Sequence, residues 1–512
     1  MGEQKEGITE WLGKRGTYFY VLIMLVIFPL FYTNGLFNLR RDKDDFFLFA
    51  TFIYVCVLIP AFIKQVYNLR KERAKCKGVD IVFGVILLSA LFLSTIFAID
   101  SRQSFFYSID RMISGMCVLG CIVVFFAIRQ YGIFDGVILW GWLLGSSLIY
   151  LIGILCACGI NVMHIQDGII DTQKPIYLTT LGHADLNTCY VCLMLPLIMV
   201  MYMICKEKFS QILHGINLYL GFLFIYFIKT DSVLIAMAAG LVVLLYFAVE
   251  REVWFGRYLQ VIGLYLGAKA TIWLLLHMYG ERLHSFFDLG EILLRGNLIL
   301  GEVIIYVLII VINNLKKDCL RKGLFIIRKY VLCLGIVLAI CFVIGVIYAN
   351  LNKVNISEDS LWSYLVVKDT TFNRRGFIWN RTVYTFINEP FWRKLFGNGL
   401  NCFREFIAAG GTVSLEELTF NDPHNEFLQM LSDMGILGVI GYFGLLLSTL
   451  IRALKTWKKN ELQVAVALTL CVYLIQGIAN EYSIFYLPLL CIFLGLANGS
   501  MTKNQNNEVE NS

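Results

Sequence analysis

Apolar runs of roughly 17–25 residues recur along this chain, and each is about long enough to cross a hydrocarbon core of about 30 Å as a helix. No other feature limits the fold so strongly. The runs lie near 17–36, 46–64, 79–98, 112–128, 134–158, 185–205, 216–229, 233–250, 259–277, 298–314, 330–350, 434–451, 462–480 and 484–498. The separators within 216–250 and between the last two are the shortest. Composition agrees: 58% of the 512 residues are hydrophobic and 16% charged, against about 45–50% and about 25% in soluble chains. The expected fold class is an all-α polytopic membrane protein with about 12–14 transmembrane helices. The run 17–36 follows Lys14 and Arg15. It is too long for a signal-peptide core, and no small-residue cleavage site follows it, so it reads as a retained first span.

Lysine and arginine accumulate in loops on the cytoplasmic side of a membrane. With the N-terminus inside, that side receives Lys64 to Lys77, Arg129, Arg251 and Arg257, Lys316 to Lys329, and Arg452 to Lys459. The short loops on the other side are poor in both residues. Both termini are therefore expected inside a cytoplasmic membrane. The formal charge of +6 is the signature of those loops and calls for no nucleic acid. Most of the fifteen cysteines fall inside apolar runs, including the single C-x-x-C, Cys189 and Cys192, and read as small buried thiols. No metal site and no cofactor is expected. Lys269, in mid-span, is a functional candidate by position, with a water-filled cavity or an acid partner as its two explanations.

The division that follows is 1–350 for about eleven spans, 351–433 for a large extracytoplasmic loop, 434–498 for the C-terminal spans, and 499–512 for a disordered cytoplasmic tail. The loop far exceeds the about 12–15 residues of ordinary connections, which points to function. NRRGFIWNRTVYTFINEPFW (373–392) spaces Phe377, Ile378, Val383, Phe386 and Ile387 as an amphipathic helix on the membrane surface, ended by Pro390. Trp379 is expected to pack against the membrane. Gly397 and Gly399 permit a tight turn, a second amphipathic stretch covers 400–409, and Pro423 suits a helix start.

Two charged features of this loop suggest chemistry. Arg374 and Arg375 open the first helix, and an arginine fork holds phosphate oxygens in a fixed geometry. His424 opens the last helix, and an imidazole can take a proton from a hydroxyl near neutral pH. A diphosphate clamp with a base is minimal equipment for attack of an alcohol on a sugar carried by a lipid diphosphate, the arginines neutralising the leaving group. On residue types alone a plainer reading stands beside it: arginines that bind anionic headgroups and a histidine that belongs to a helix start.

The order of motifs resembles the C-terminal signature of the O-antigen ligase and O-antigen polymerase (Wzy-type) family. It comprises Arg375-Gly-Phe-Ile-Trp379, Asn388-Glu-Pro390, Gly397-Asn-Gly399 with Phe403, His424-Asn425-Glu-Phe-Leu428, and Asp433-Met-Gly435-Ile-Leu437-Gly438. Gly182-His183-Ala-Asp185-Leu-Asn187 resembles a polar cluster of the same family. Asn187 is the better match, while His183 and Asp185 read equally as a capped helix start. Where the family has a Ser-Arg-Gly-like turn, this chain has Lys229-Thr-Asp-Ser-Val233, which leaves Lys229 as the candidate for the missing charge. The resemblance implies a membrane-glycosyltransferase (GT-C-like) fold. It implies metal-independent, inverting transfer of glycan from undecaprenyl diphosphate at the outer face of the membrane. It implies Arg375, with Arg374, on the diphosphate, and His424 activating or orienting the acceptor hydroxyl. Asn187 and Lys229 would be substrate contacts, and Asn425 a substrate contact or the residue that positions the histidine. The partners implied are the lipid-linked donor, a glycan or lipid acceptor, membrane lipids and a chain-length regulator.

A polymerase is favoured over a ligase only because nothing in the sequence identifies a lipid or protein acceptor. A transporter or flippase of lipid-linked sugars and a non-catalytic scaffold are the competing classes. No internal repeat of the transporter kind is visible, and the heavy outer loop favours an enzyme.

Overall fold

The computed structural model describes residues 8–33, 35, 38–72, 78–108, 112–280, 288–315, 319–351, 362, 365–369, 375–411 and 420–510. The described residues are helical with no named strand, only an isolated bridge between Thr179 and Gly182. Eleven helices are long and apolar enough to cross a membrane, and three shorter apolar ones bring the described total to fourteen, one for each apolar run. The protein is an all-α, multi-pass membrane protein.

In chain order these helices begin with α1 (Ile8–Leu30), α2 (Leu39–Lys64), α3 (Val79–Ile96), α4 (Gly115–Tyr131) and α5 (Gly136–Ala157). Then come α6 (Ala184–Ile204), α7 (Lys208–Phe227), α8 (Asp231–Ala248), α9 (Glu252–Tyr279), α10 (Gly296–Leu315) and α11 (Cys319–Asn350). Three helices follow in the long loop: α12 (Arg375–Asn388), α13 (Phe391–Phe396) and α14 (Phe403–Ala409). The last are α15 (Glu426–Thr456), α16 (Leu462–Gln476) and α17 (Leu487–Glu510). The apolar part of α17 ends at Gly499, and the helix continues into the polar residues where the sequence suggests a disordered tail.

α6 is the axis of the bundle. Its span is 89% buried, surrounded by α16, α7 and α8, while α15 runs along α3 and α17 along α4. α10 and α11 stand at the periphery, 6% and 7% buried. Lys269 on α9 reaches one of them: its Nζ donates to Glu302 Oε2 on α10 at 2.6 Å. The lysine is fully buried and the glutamate half-buried, so the acid-partner explanation is the one observed. An ion pair at this depth replaces water that lipid cannot supply.

The two ends of the bundle differ. At one end arginines close helix C-termini: Arg257 donates to the carbonyls of Met203 and Cys205 after α6, and Arg328 to that of Tyr246 in α8. Free carbonyls and the negative end of the helix dipole favour cations there. Asp80 on α3 is held at this end by Arg129 of α4 and Arg452 of α15. The opposite end carries α12–α14 and the starts of α6 and α15.

α15 starts at Glu426, close to the helix start expected at Pro423 and His424 and ahead of the apolar run near 434. It breaks at Gly435, whose φ of +66° suits glycine. The break leaves the carbonyls of Ser432 and Asp433 without helical donors, and the N–H groups of Asn398 and Gly399 take them at 2.9 and 3.0 Å. That is the physical content of the paired motifs 397–399 and 433–438: one is the turn that repairs the other's kink. α12 and α14 share a small core of Ile378, Phe403, Phe406 and Ile407, with Trp379 and Phe386 packed against it.

Candidate functional site

The polar turn Asn421–Glu426 is built from its own side chains. Asp422 Oδ1 accepts the N–H of His424 at 2.7 Å, an Asx-turn with Pro423 between them. His424 sits at φ +47°, a left-handed conformation that costs a non-glycine residue about 1–2 kcal/mol and is held by the bonds on either side. Asn425 is the N-cap of α15, its Oδ1 accepting Leu428 N–H at 2.9 Å. Pro423 therefore precedes the cap and does not open the helix. Trp379 Nε1 donates to the Pro423 carbonyl at 2.8 Å, so the indole pins this turn rather than facing lipid.

The irregular connection 477–486 between α16 and α17 faces the turn. Glu426 N–H donates to Gly477 O at 2.8 Å, Asn425 Nδ2 to Ile478 O at 2.8 Å, and Tyr482 N–H to Gln429 Oε1 at 2.8 Å. Non-helical backbone inside a helical bundle is tolerated because neighbouring backbone and side chains satisfy it. Glu481, fully buried on this segment, lies 3.2 Å from His424 Nδ1 through Oε2, and Asp422 Oδ1 lies 3.3 Å from the same nitrogen. Asp185, in the first turn of α6, brings its carboxylate to the other side. Its Oδ2 is 3.4 Å from His183 Nδ1, and its Oδ1 is 3.5 Å from Arg375 Nη2. Arg375 Nη1 also donates to the Ala479 carbonyl.

Asp185, His424 and Glu481 each place an atom within 4.8 Å of the others. Arg375 and His424, 49 positions apart in the chain, are thus linked through one carboxylate. Both remain reachable from solvent, with 22% and 13% of their side chains exposed. Burial alone would lower the proton affinity of His424. Asp422, then Glu481 and Asp185, outweigh it and raise its pKa to about 9. The same three atoms have a spacing compatible with a divalent cation. Such an ion would have to expel the imidazole proton and sit beside a guanidinium, so the donor set fits it poorly.

The other residues singled out from the sequence separate. Asn187 is fully buried and engaged within its own loop. It accepts from Thr179 Oγ1 at 2.5 Å and donates to the carbonyls of Gly182 and His183, so its amide holds the start of α6. Asn425 is likewise spent on the cap and on Ile478. Lys229 lies in the α7–α8 turn at φ +59°. The neighbouring Thr230 bonds Thr188 of α6 at 2.5 Å, one turn from Asp185, and burial lowers the Lys229 pKa to about 8. Arg374 lies outside the described residues. Glu481 and Asp422 were not singled out. Their signals were a lone acid in the short separator of the last two spans and an Asp two residues before the histidine.

With this arrangement in view, the long loop and the spans around it gain a relative. Residues 293–443 match the O-antigen ligase family model, Wzy_C. The matched stretch contains both Arg375 and His424 and ends inside α15. The O-antigen ligase and polymerase family consists of membrane proteins of polysaccharide biosynthesis, which agrees with the fourteen apolar helices. No curated protein matches the chain.

Proposed function

We propose that this protein is a glycosyltransferase that joins glycan repeats carried on undecaprenyl diphosphate, at the outer face of the cytoplasmic membrane and with both termini inside. The observation that carries the reading is the meeting of a guanidinium and an imidazole from separate elements at one end of the bundle, inside the stretch that matches O-antigen ligases. Ligation to a lipid or protein acceptor uses the same donor site with a different hydroxyl. The chain is proposed to work among membrane lipids and beside a chain-length regulator.

In this reading Arg375 binds the diphosphate, with Arg374 beside it and Lys229 as a second cation from the α7–α8 turn. His424 works through Nε2, since Nδ1 faces Glu481 and Asp422; a carboxylate on Nδ1 fixes the ring and stabilises its protonated form. The acceptor oxygen forms a bond to the anomeric carbon as the bond from that carbon to the phosphate oxygen breaks. The hydroxyl proton goes to His424, and the added negative charge stays on the polyprenyl diphosphate against Arg375. Single displacement inverts the anomeric centre. Because the imidazole is protonated at neutral pH, only its minor neutral form accepts the proton, and the rate rises with pH towards about 9.

Purified protein in detergent, given lipid-linked repeats and no ion gradient, is expected to release polyprenyl diphosphate and lengthen the glycan. Vesicle-to-vesicle movement of the lipid without any new glycosidic bond would instead establish a transporter.

A further inference from the structure

The helical spacing of 373–392 put Ile378 and Phe386 on a membrane face, yet both turn inward onto Phe403, Phe406 and Ile407. What α12 leaves uncovered lies at its far end: Val383, Tyr384 and Ile387. The row continues past Pro390, where the chain turns into α13, with Phe391 at 67% and Trp392 at 58% exposure. Large apolar side chains so exposed and contiguous need a partner.

A neighbouring ladder of rings identifies it. Trp392 stacks on Phe396 at 6.1 Å, and Phe396 on Phe97 at 5.1 Å. Phe97 follows the last residue of the span α3, and Ile96 and Phe97 are themselves exposed at the end of that apolar helix. The ring ladder therefore joins the uncovered row to the exposed apolar surface of a span. Tryptophan and tyrosine settle at the acyl–headgroup boundary. Arg393 and Lys394 follow in the next positions of α13, Arg393 lying 3.8 Å from Glu389; basic side chains at such a place can lay their stems along apolar surface with their charges at headgroup level.

We propose that the α12–α13 elbow inserts its aromatic row into the acyl chains of the leaflet on the site side, and that this anchor sets the height of Arg375 at the other end of α12. At 1.5 Å per residue that end is about 20 Å away. Insertion stands on the exposed row and the ring ladder; its consequence for Arg375 rests on the donor-binding role proposed above.

The test is fluorescence of full-length protein in nanodiscs. The emission lost on Trp392→Phe isolates the contribution of Trp392. It is measured in plain lipid and in lipid brominated along the acyl chains, with aqueous iodide as the opposite probe. Insertion predicts loss of most of the Trp392 contribution in brominated lipid and little loss to iodide. Quenching by iodide alone, or by neither probe, overturns the proposal and leaves the row to a protein partner or to packing within the chain. The same measurement on Arg375→Ala protein needs no turnover, so failure of the donor-binding role leaves the quenching result standing. Phe391→Glu with Trp392→Glu should then lower transfer at equal amounts of folded protein, while Phe391→Leu with Trp392→Tyr retains it. Equal activity of the two pairs would overturn the role in placing Arg375.

Discussion

Each end of this bundle holds a buried cluster of charge, and the two are built differently. At the arginine-capped end one carboxylate, Asp80, is fully buried between Arg129 and Arg452. Cations exceed the acid, and both guanidiniums point at the same side chain. Among the described residues at the other end, three carboxylates, Asp185, Asp422 and Glu481, surround His424, and Arg375 reaches Asp185 while staying partly open. The first arrangement closes three helices against each other, since its charges are consumed internally. The second keeps a proton on an imidazole and a guanidinium within reach of something from outside. The arrangement of the charges separates the two ends; charge and burial alone do not.

The contrast breaks most visibly at its centres. Arg375→Ala, and equally Arg375→Lys, should reduce transfer by about 10³-fold or more, because a preorganised charge on the leaving group is lost and lysine lacks the fork. Thermal unfolding in detergent should change little. Asp80→Ala should do the reverse: it leaves buried arginines without their acid and costs about 3–5 kcal/mol of stability, with activity per folded molecule preserved. Equal loss of stability in both would erase the distinction.

His424→Ala should lower transfer by about 10²-fold at unchanged folded yield, read with donor saturating. Retention of activity would make the imidazole a part of the turn. The pH dependence sharpens the same point. With a pKa raised to about 9, His424 gains its base form as pH rises, so the wild-type rate should climb between pH 7 and about 9. Glu481→Gln removes one of the charges that raise it, while Asp422, Asp185 and Arg375 remain, and should move the climb to lower pH. A Glu481→Gln profile that overlays the wild type would remove the carboxylate from the account. The sign for stability is opposite: the raised pKa stabilises the folded state fully below about 6.5, and this contribution is lost as pH rises through about 9. The smallest effect belongs to Asn425→Ala. It removes an N-cap bond and should cost about 1 kcal/mol, seen as a lowered unfolding midpoint with the pH profile unmoved.

How much was legible depended on the kind of interaction. The fourteen apolar runs predict the fourteen helices because span length is fixed by lipid thickness. The pairing of Gly397-Asn-Gly399 with Gly435 was invisible as physics, since a kink and the turn that repairs it are 34 to 38 positions apart. Arg375 and His424 could be named from their chemistry and motif order. Glu481 could not, because its meaning comes from a buried irregular segment that only the tertiary fold brings to Nδ1. The resemblance offers Asn187 and Asn425 as substrate contacts, and the structure shows both side chains bonded to backbone at helix starts. The backbone needs them first: helix starts in lipid must satisfy their own N–H and C=O groups. Trp379 was misplaced for a similar reason, its indole N–H having found the Pro423 carbonyl.

The account stands or falls on where the diphosphate of the donor binds. A structure of the protein with a lipid-linked repeat should place phosphate oxygens within about 3 Å of the Arg375 guanidinium, with the anomeric carbon on the side of His424. A diphosphate resolved elsewhere, with Arg375 still bonded to Ala479 and Asp185, would contradict it.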